Sequence, residues 1–273
     1  MSVCSSDTIS KMEVWALLKL HETTTIPTLL SNCETWVLGK EQHKQLERQE
    51  LWALKKLFGL PPTTPNSAVM LLSGCLYTTQ RIHQKQLLYL KTILSRPNDD
   101  WTKISLQIQE SEKLWWAKQI EDTLKQYSID LTWHEIKAMP FAEWKRLVKT
   151  KIEEKYIQRM KEGYQGSQGE KTKTKFIKNI IENNAYERKP MAHIMEGRSK
   201  TGARALIMGI SGMLDCANNF HFKYERRNCN DCGVIDDESH RINYCKKYEA
   251  YNLYHSHTKY DFIFYESGCF RSN

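Results

Sequence analysis

Glycine and proline are scarce in this chain, with 12 and 7 among 273 residues. An all-β architecture spends these residues on closely spaced tight turns, so that class is excluded and helices are expected to dominate. No apolar run approaches the roughly 20 residues that cross a bilayer, and no membrane partner is expected. Residues 1–10 are too polar for a secretory signal. The expected location is therefore intracellular, nucleus or cytoplasm. In such a reducing compartment the eight cysteines read as metal or redox groups rather than disulfides. Aromatic area is not lacking: 8 Trp and 13 Tyr, with 40% hydrophobic residues, supply a core. Charged residues stand at 26%, an ordinary globular level that argues against wholesale disorder.

The formal charge of +8 is unevenly spread. Residues 145–190 hold 13 Lys or Arg against 6 Glu, a local net of +7, so one stretch carries nearly all the excess. A polyanion-binding surface has this signature; a solvated helix face is the bland alternative.

Helical periodicity recurs along the first 160 residues. Residues 12–20 carry Trp15, Leu18 and Leu20, with a continuation or a bend at Pro27. Leu51, Leu54 and Phe58 follow at i, i+3 and i+7, and Gly59 with Pro61-Pro62 ends that helix. After a loop over 61–66, a second stretch runs through Ile82, Leu87, Leu90 and Leu94 to Pro97, and the turn at 98–100 offers an N-cap. Trp116, Ile120, Leu124 and Tyr127 form a further stripe over 111–127. Thr132 and Glu135 have capping-box spacing. Pro140 suits a first helical turn before Phe141, Trp144, Val148 and Ile152. Residues 163–174, GYQGSQGEKTKT, then read as a mobile linker.

The sharpest local pattern is Cys229-x2-Cys232-x7-His240-x4-Cys245. Two cysteines separated by two residues turn both thiolates to one point, and Gly233 suits the turn that follows. Three thiolates and an imidazole complete a tetrahedral shell with no open position, the pattern of structural Zn2+. A redox Cys pair wants a βαβ context, which the flanks do not offer. Cys216, His221, His255, His257 and Cys269 are spare donors, while Cys4, Cys33 and Cys75 read as small buried residues. Arg226, Arg227, Arg241, Lys246 and Lys247 surround the motif, with Tyr224, Tyr244 and Tyr248 interleaved. Arg198, Lys200 and Arg204 open an expected helix over 201–216. Cations pair with phosphates and aromatic faces stack unpaired bases.

The C-x2-C-x7-H-x4-C spacing resembles the C-terminal knuckle of non-LTR (LINE-type) retrotransposon reverse transcriptases. The run Ile26-Pro-Thr-Leu-Leu-Ser-Asn-Cys-Glu-Thr-Trp36, followed by the helix that stops at Phe58-Gly59, is similar to the helical region after the palm in that family. There a P-x-L-L-Y-x-x-E-T-W run is usual, and Ser31 stands here for its Tyr. The resemblance implies a thumb-like helical region over 1–110, a helical connector over 111–162 and a basic flexible linker over 163–175. It further implies a C-terminal helical unit with the zinc knuckle over 176–251; the tail, 252–273, has no assignment. The expected fold is therefore mainly α.

The catalytic palm of the family would precede residue 1, so RNA-directed DNA polymerase activity is not expected of this chain alone. Asp99-Asp100 lies in a turn, and Asp236-Asp237 lies between two expected zinc ligands without a partner aspartate strand, so neither reads as the two-metal site of a polymerase. The expectation is a nucleic-acid-binding fragment taking RNA or DNA through Lys171, Lys173, Lys175, Lys178, Arg198, Lys200, Arg204, Arg226, Arg227, Arg241, Tyr244, Lys246 and Lys247. The alternative is a zinc-stabilised helical module that binds protein through the Trp-rich helices around Trp115, Trp133 and Trp144. Oligomeric state is not legible.

Overall fold

In a computed structural model of the chain, residues 14–165, 207–208, 211, 228–236, 240 and 245 are described. Among them the fold is mainly α. There is no strand, and one isolated antiparallel bridge joins Asn228 to Ile235. The expected basic linker lies outside the described residues from 166 onward, as do the tail and most of the C-terminal helical unit.

Helix α1 (Val14–Leu20) passes through a wide π-type turn (His21–Thr25) into the short α2 (Ile26–Leu29). Pro27 lies at the start of α2, directly after the π-type turn, and the chain continues through it rather than breaking. A 3-10 turn (Cys33–Thr35) leads to α3 (Lys40–Phe58). As expected, α3 stops at Gly59, whose φ is +65°. The Leu60 N–H then reaches back to the Lys55 carbonyl at 2.8 Å and the Gly59 N–H to the Lys56 carbonyl at 3.1 Å, a Schellman ending.

The stretch expected to run through Ile82 is divided. A separate helix α4 (Asn66–Ser73) ends at Gly74, φ +63°, and α5 (Thr78–Leu94) follows. Ser67 through Ser73 are all buried, so α4 has no polar face from which a period could be read. Next comes α6 (Trp101–Ser111), capped by the Asp100 carboxylate on the Thr102 N–H at 2.9 Å. The stripe expected from Ser111 begins later, with α7 (Trp115–Gln126), because Lys113 at φ +53° turns the chain first. A full capping box opens α8 (Trp133–Ala138): Thr132 Oγ1 accepts from the Glu135 N–H, and the Thr132 N–H donates to Glu135 Oε2 at 2.7 Å. Last is α9 (Phe141–Gln165), which buries Trp144, Val148, Ile152, Tyr156 and Met160 along one stripe. It runs past Gly163, so the first three residues of the expected linker are helical.

The chain divides into two compact units. One comprises Ala16–Ala53 and Leu76–Lys161. Its hub is α5, which packs against the 3-10 turn, α6, α7 and α8 and buries Ile82, Leu87 and Leu90 completely. Neighbouring elements are pinned to that hub by polar groups. Trp144 Nε1 donates to the Leu87 carbonyl at 2.9 Å. Gln86 Nε2 donates to the Trp36 carbonyl at 2.8 Å. Lys91 Nζ caps the carbonyls of Ile136 and Lys137 at 2.8 and 2.6 Å. The Glu50 carboxylate accepts from the Thr78 N–H at 2.9 Å, an anion at the positive end of α5. Arg81 clamps Glu22 through two hydrogen bonds, and Arg159 clamps Glu47 while lying 3.8 Å from the centre of the Tyr77 ring.

The other unit comprises Met1–Trp15, Leu54–Cys75 and Glu162–Asn273. Its described part includes α4, buried Leu54, Phe58 and Leu60, and the segment 228–236.

Trp144 is fully buried and its indole N–H is spent inside the fold, so it offers no protein-binding face. Trp133 is half-buried; of the three tryptophans only Trp115, 74% exposed, faces solvent.

Candidate metal centre

The segment 228–236 is a small hairpin whose backbone makes the turn that C-x2-C spacing asks for. The Cys229 N–H donates to the Val234 carbonyl at 2.7 Å, and the Gly233 N–H donates to the Cys229 carbonyl at 2.8 Å. Closing so tight a turn requires one residue in the left-handed region. Gly233 takes it, at φ +71°, with open space where a Cβ would stand.

His240 and Cys245 arrive by a different local device. On a regular α-helix, residues five apart point about 140° away from each other. Here the Cys245 N–H reaches back to the His240 carbonyl at 2.7 Å. That i→i+5 closure is the wider π-type turn, which brings the fifth residue back beneath the first. A five-residue spacing thus becomes a two-donor face.

The four donor atoms of Cys229, Cys232, His240 and Cys245 all lie within 4.8 Å of one another. Cys229 Sγ is 3.8 Å from Cys245 Sγ, and Cys232 Sγ is 4.0 Å from it. A tetrahedral cation bonded to thiolates at about 2.3 Å separates its sulfurs by about 3.8 Å, so the spacing suits a shared ion. It is far too long for a disulfide, where the sulfurs approach to about 2.05 Å, and none of the three forms one. Cys229, His240 and Cys245 are buried while Cys232 is half-exposed, so the shell is closed on three sides.

Electrostatics prepare the Cys229 sulfur for a cation. Burial pushes the Cys229 thiol up, but hydrogen bonds from the His240 ring, from the backbone N–H groups of Asp231 and Cys232 and from the Cys245 thiol outweigh it. The net result brings the group down to about 7. A thiolate is then accessible near neutral pH, the form that ligates metal. The amides of Asp231 and Cys232 serve as supporting groups that residue spacing did not reveal. They are backbone donors, and no side-chain identity announces them. Asp236 is buried at the end of the hairpin.

Of the residues read from sequence, the structure brings together the four expected ligands. Lys171, Lys173, Lys175, Lys178, Arg198, Lys200, Arg204, Arg226, Arg227, Arg241, Tyr244, Lys246 and Lys247 lie outside the described residues, as do the spare donors Cys216, His221, His255, His257 and Cys269. Cys33 and Cys75 are buried small residues, as expected. Asp100 serves as a helix cap. Among the described residues no helix is long and apolar enough to cross a membrane. The chain matches no protein-family model, no curated protein and no solved structure.

Proposed function

We propose that this chain is a zinc-stabilised, nucleic-acid-binding C-terminal part of a non-LTR retrotransposon reverse transcriptase, acting as a binding module rather than as a polymerase. The observation that carries the reading is the convergence of Cys229, Cys232, His240 and Cys245 within 4.8 Å. Zinc is the ion of choice because three soft thiolates and one imidazole in a closed tetrahedron favour it over hard cations, and leave no position for a substrate. The ion in this reading is structural. It supplies folding energy to a segment with little core of its own.

Nucleic acid is supported by the local net of +7 over residues 145–190 and by the cations and tyrosines that flank the cysteines in sequence. The resemblance to the reverse-transcriptase tail rests on the knuckle spacing and on the run from Ile26 to Trp36.

Two measurements on the purified full chain test the reading. Elemental mass spectrometry should find one zinc per chain, and none in Cys232→Ser. Fluorescence anisotropy with duplex DNA should show log affinity falling with log salt at a slope near −5 if about six phosphates are neutralised, and more gently with single-stranded RNA. A metal-free native protein would overturn the first half, and affinity indifferent to salt the second. A second reading, a zinc-stabilised module that binds protein instead, is favoured by the 74% exposure of Trp115. It predicts a partner whose binding survives nuclease treatment.

A further inference from the structure

Cys245 is the hub of the sulfur cluster. Its Sγ lies 3.8 Å from that of Cys229 and 4.0 Å from that of Cys232. The three thiols differ in their access to solvent. Cys229 is 8% exposed and Cys245 1%, whereas Cys232 is half-exposed, with Asn230, Asp231, Gly233, Val234 and Ile235 exposed around it. Gly233, next in the chain, brings no side chain that could shield it. A small oxidant arriving from water therefore meets Cys232 first, and Cys245 stands directly behind it. An accessible thiol backed by a second, resolving thiol is the arrangement that oxidation reads.

With hydrogen peroxide as the oxidant the chemistry balances on these two sulfurs. The Cys232 thiolate attacks one peroxide oxygen, the O–O bond breaks, hydroxide leaves, and Cys232 becomes a sulfenic acid. The Cys245 thiolate then attacks the Cys232 sulfur; an S–S bond forms and the S–O bond breaks, releasing a second hydroxide. Each sulfur gives up one electron and the peroxide takes two, and two protons turn the hydroxides into water.

The backbone favours this pair over the C-x2-C pair. A Cys229–Cys232 bond would tighten a turn already closed by the Cys229 N–H on the Val234 carbonyl and the Gly233 N–H on the Cys229 carbonyl. A Cys232–Cys245 bond instead joins two separately built segments, the hairpin and the π-type turn. It asks the sulfurs to approach by about 2 Å and leaves both hairpin bonds in place.

We propose that Cys232 and Cys245 form an oxidation switch on the metal centre, closing into a disulfide in peroxide. The donor set then falls from four to two, Cys229 and His240, too few for a closed tetrahedral shell, and the ion leaves. Loss of the ion rests on the zinc reading above; the choice of sulfur pair rests on the cluster's geometry alone.

The test treats the purified full chain, its zinc first counted by elemental mass spectrometry, with equimolar hydrogen peroxide. Digestion under non-reducing conditions before Asp231 and after Arg241 puts the three sulfurs on separate peptides. The principal linked pair should be Cys232–Cys245, with one zinc ion released to a colorimetric chelator per disulfide and rebound after a dithiol. Dimedone present during oxidation should label Cys232 about tenfold or more over Cys229. In Cys245→Ser that label should persist at Cys232; if this variant folds poorly, the mapping on the native chain still decides. A principal disulfide between Cys229 and either partner, or between Cys232 and a cysteine outside the cluster, overturns the proposal. So does a Cys232–Cys245 disulfide that keeps its ion. A chain that purifies without zinc sinks the metal reading, and the mapped pair then decides the switch by itself.

Discussion

Gly233 shows how one residue sets the geometry of the metal centre. Its φ of +71° is available to L side chains only at a cost, yet no atom lies within 4 Å of where a Cβ would sit. Gly233→Ala therefore isolates backbone strain from steric clash. It should destabilise the hairpin by about 1 kcal/mol, which a competitive chelator titration reads as roughly five- to tenfold weaker metal affinity. Undiminished affinity would mean that the turn is not strained by the substitution. His83 tests burial in the same way. The ring is 5% exposed, its Nδ1 lies 3.1 Å from the Tyr127 hydroxyl, and the His43 ring stands 5.3 Å away. Burial, then the His43 ring, bring its pKa down from 6.5 to about 4, against the opposing pull of Glu47. Between those values the unfolded chain binds the extra proton, so stability is full above the unfolded value and falls as pH drops towards the folded one. Urea denaturation should show a loss on the order of 2 kcal/mol from about pH 7.5 to about pH 5. The loss should shrink in His83→Gln; an equal loss in that variant would assign the effect elsewhere.

Among the described residues, three helices end in the same six-residue hydrogen-bonded loop, and one of the three ends on glycine. After α3 the left-handed position belongs to Gly59; after α6 it belongs to Lys113 at φ +53°, and after α7 to Ser128 at φ +51°. The bonds are equally formed: Leu114 N–H to the Gln109 carbonyl at 2.8 Å and Ile129 N–H to the Leu124 carbonyl at 3.0 Å. Gly59 was legible because it is the residue that a Schellman ending favours. The other two endings were not, because Lys and Ser carry no such signal and tertiary packing imposes the turn. Ser128→Gly should accordingly stabilise α7 by about 0.5–1 kcal/mol, the relief of left-handed strain less the added freedom of the unfolded chain. Thermal denaturation of the variant reads this directly, and a lower midpoint would refute it.

For the molecule as a whole, the decisive property is that the four candidate ligands share one compact unit. The unit of Ala16–Ala53 and Leu76–Lys161 contributes none of them, and builds its core around α5. Stripping the metal with a chelator, or replacing Cys232 by Ser, should therefore remove the fold of the 229–245 segment and leave the α5-centred helices intact. Far-UV circular dichroism should keep most of its helical signal, with the main thermal transition within about 3 °C of the native midpoint. Loss of all helicity on chelation would show that the metal supports the entire chain.

What the sequence determined by itself is what short-range chemistry writes. The ligand spacing, the Thr132–Glu135 capping box, the stop at Gly59 and the buried stripe of Trp144, Val148 and Ile152 each depend on residues a few positions apart. Only the tertiary structure decided which faces meet. It closed the five-residue step from His240 to Cys245 by a wide turn. It sank α4 so deeply that its period vanished. It brought Glu50 from α3 to the start of α5, and it buried Trp144 while leaving Trp101 in water. The reason is physical: hydrogen bonds within a turn are chosen by neighbours along the chain, whereas burial is chosen by whatever distant surface happens to fit.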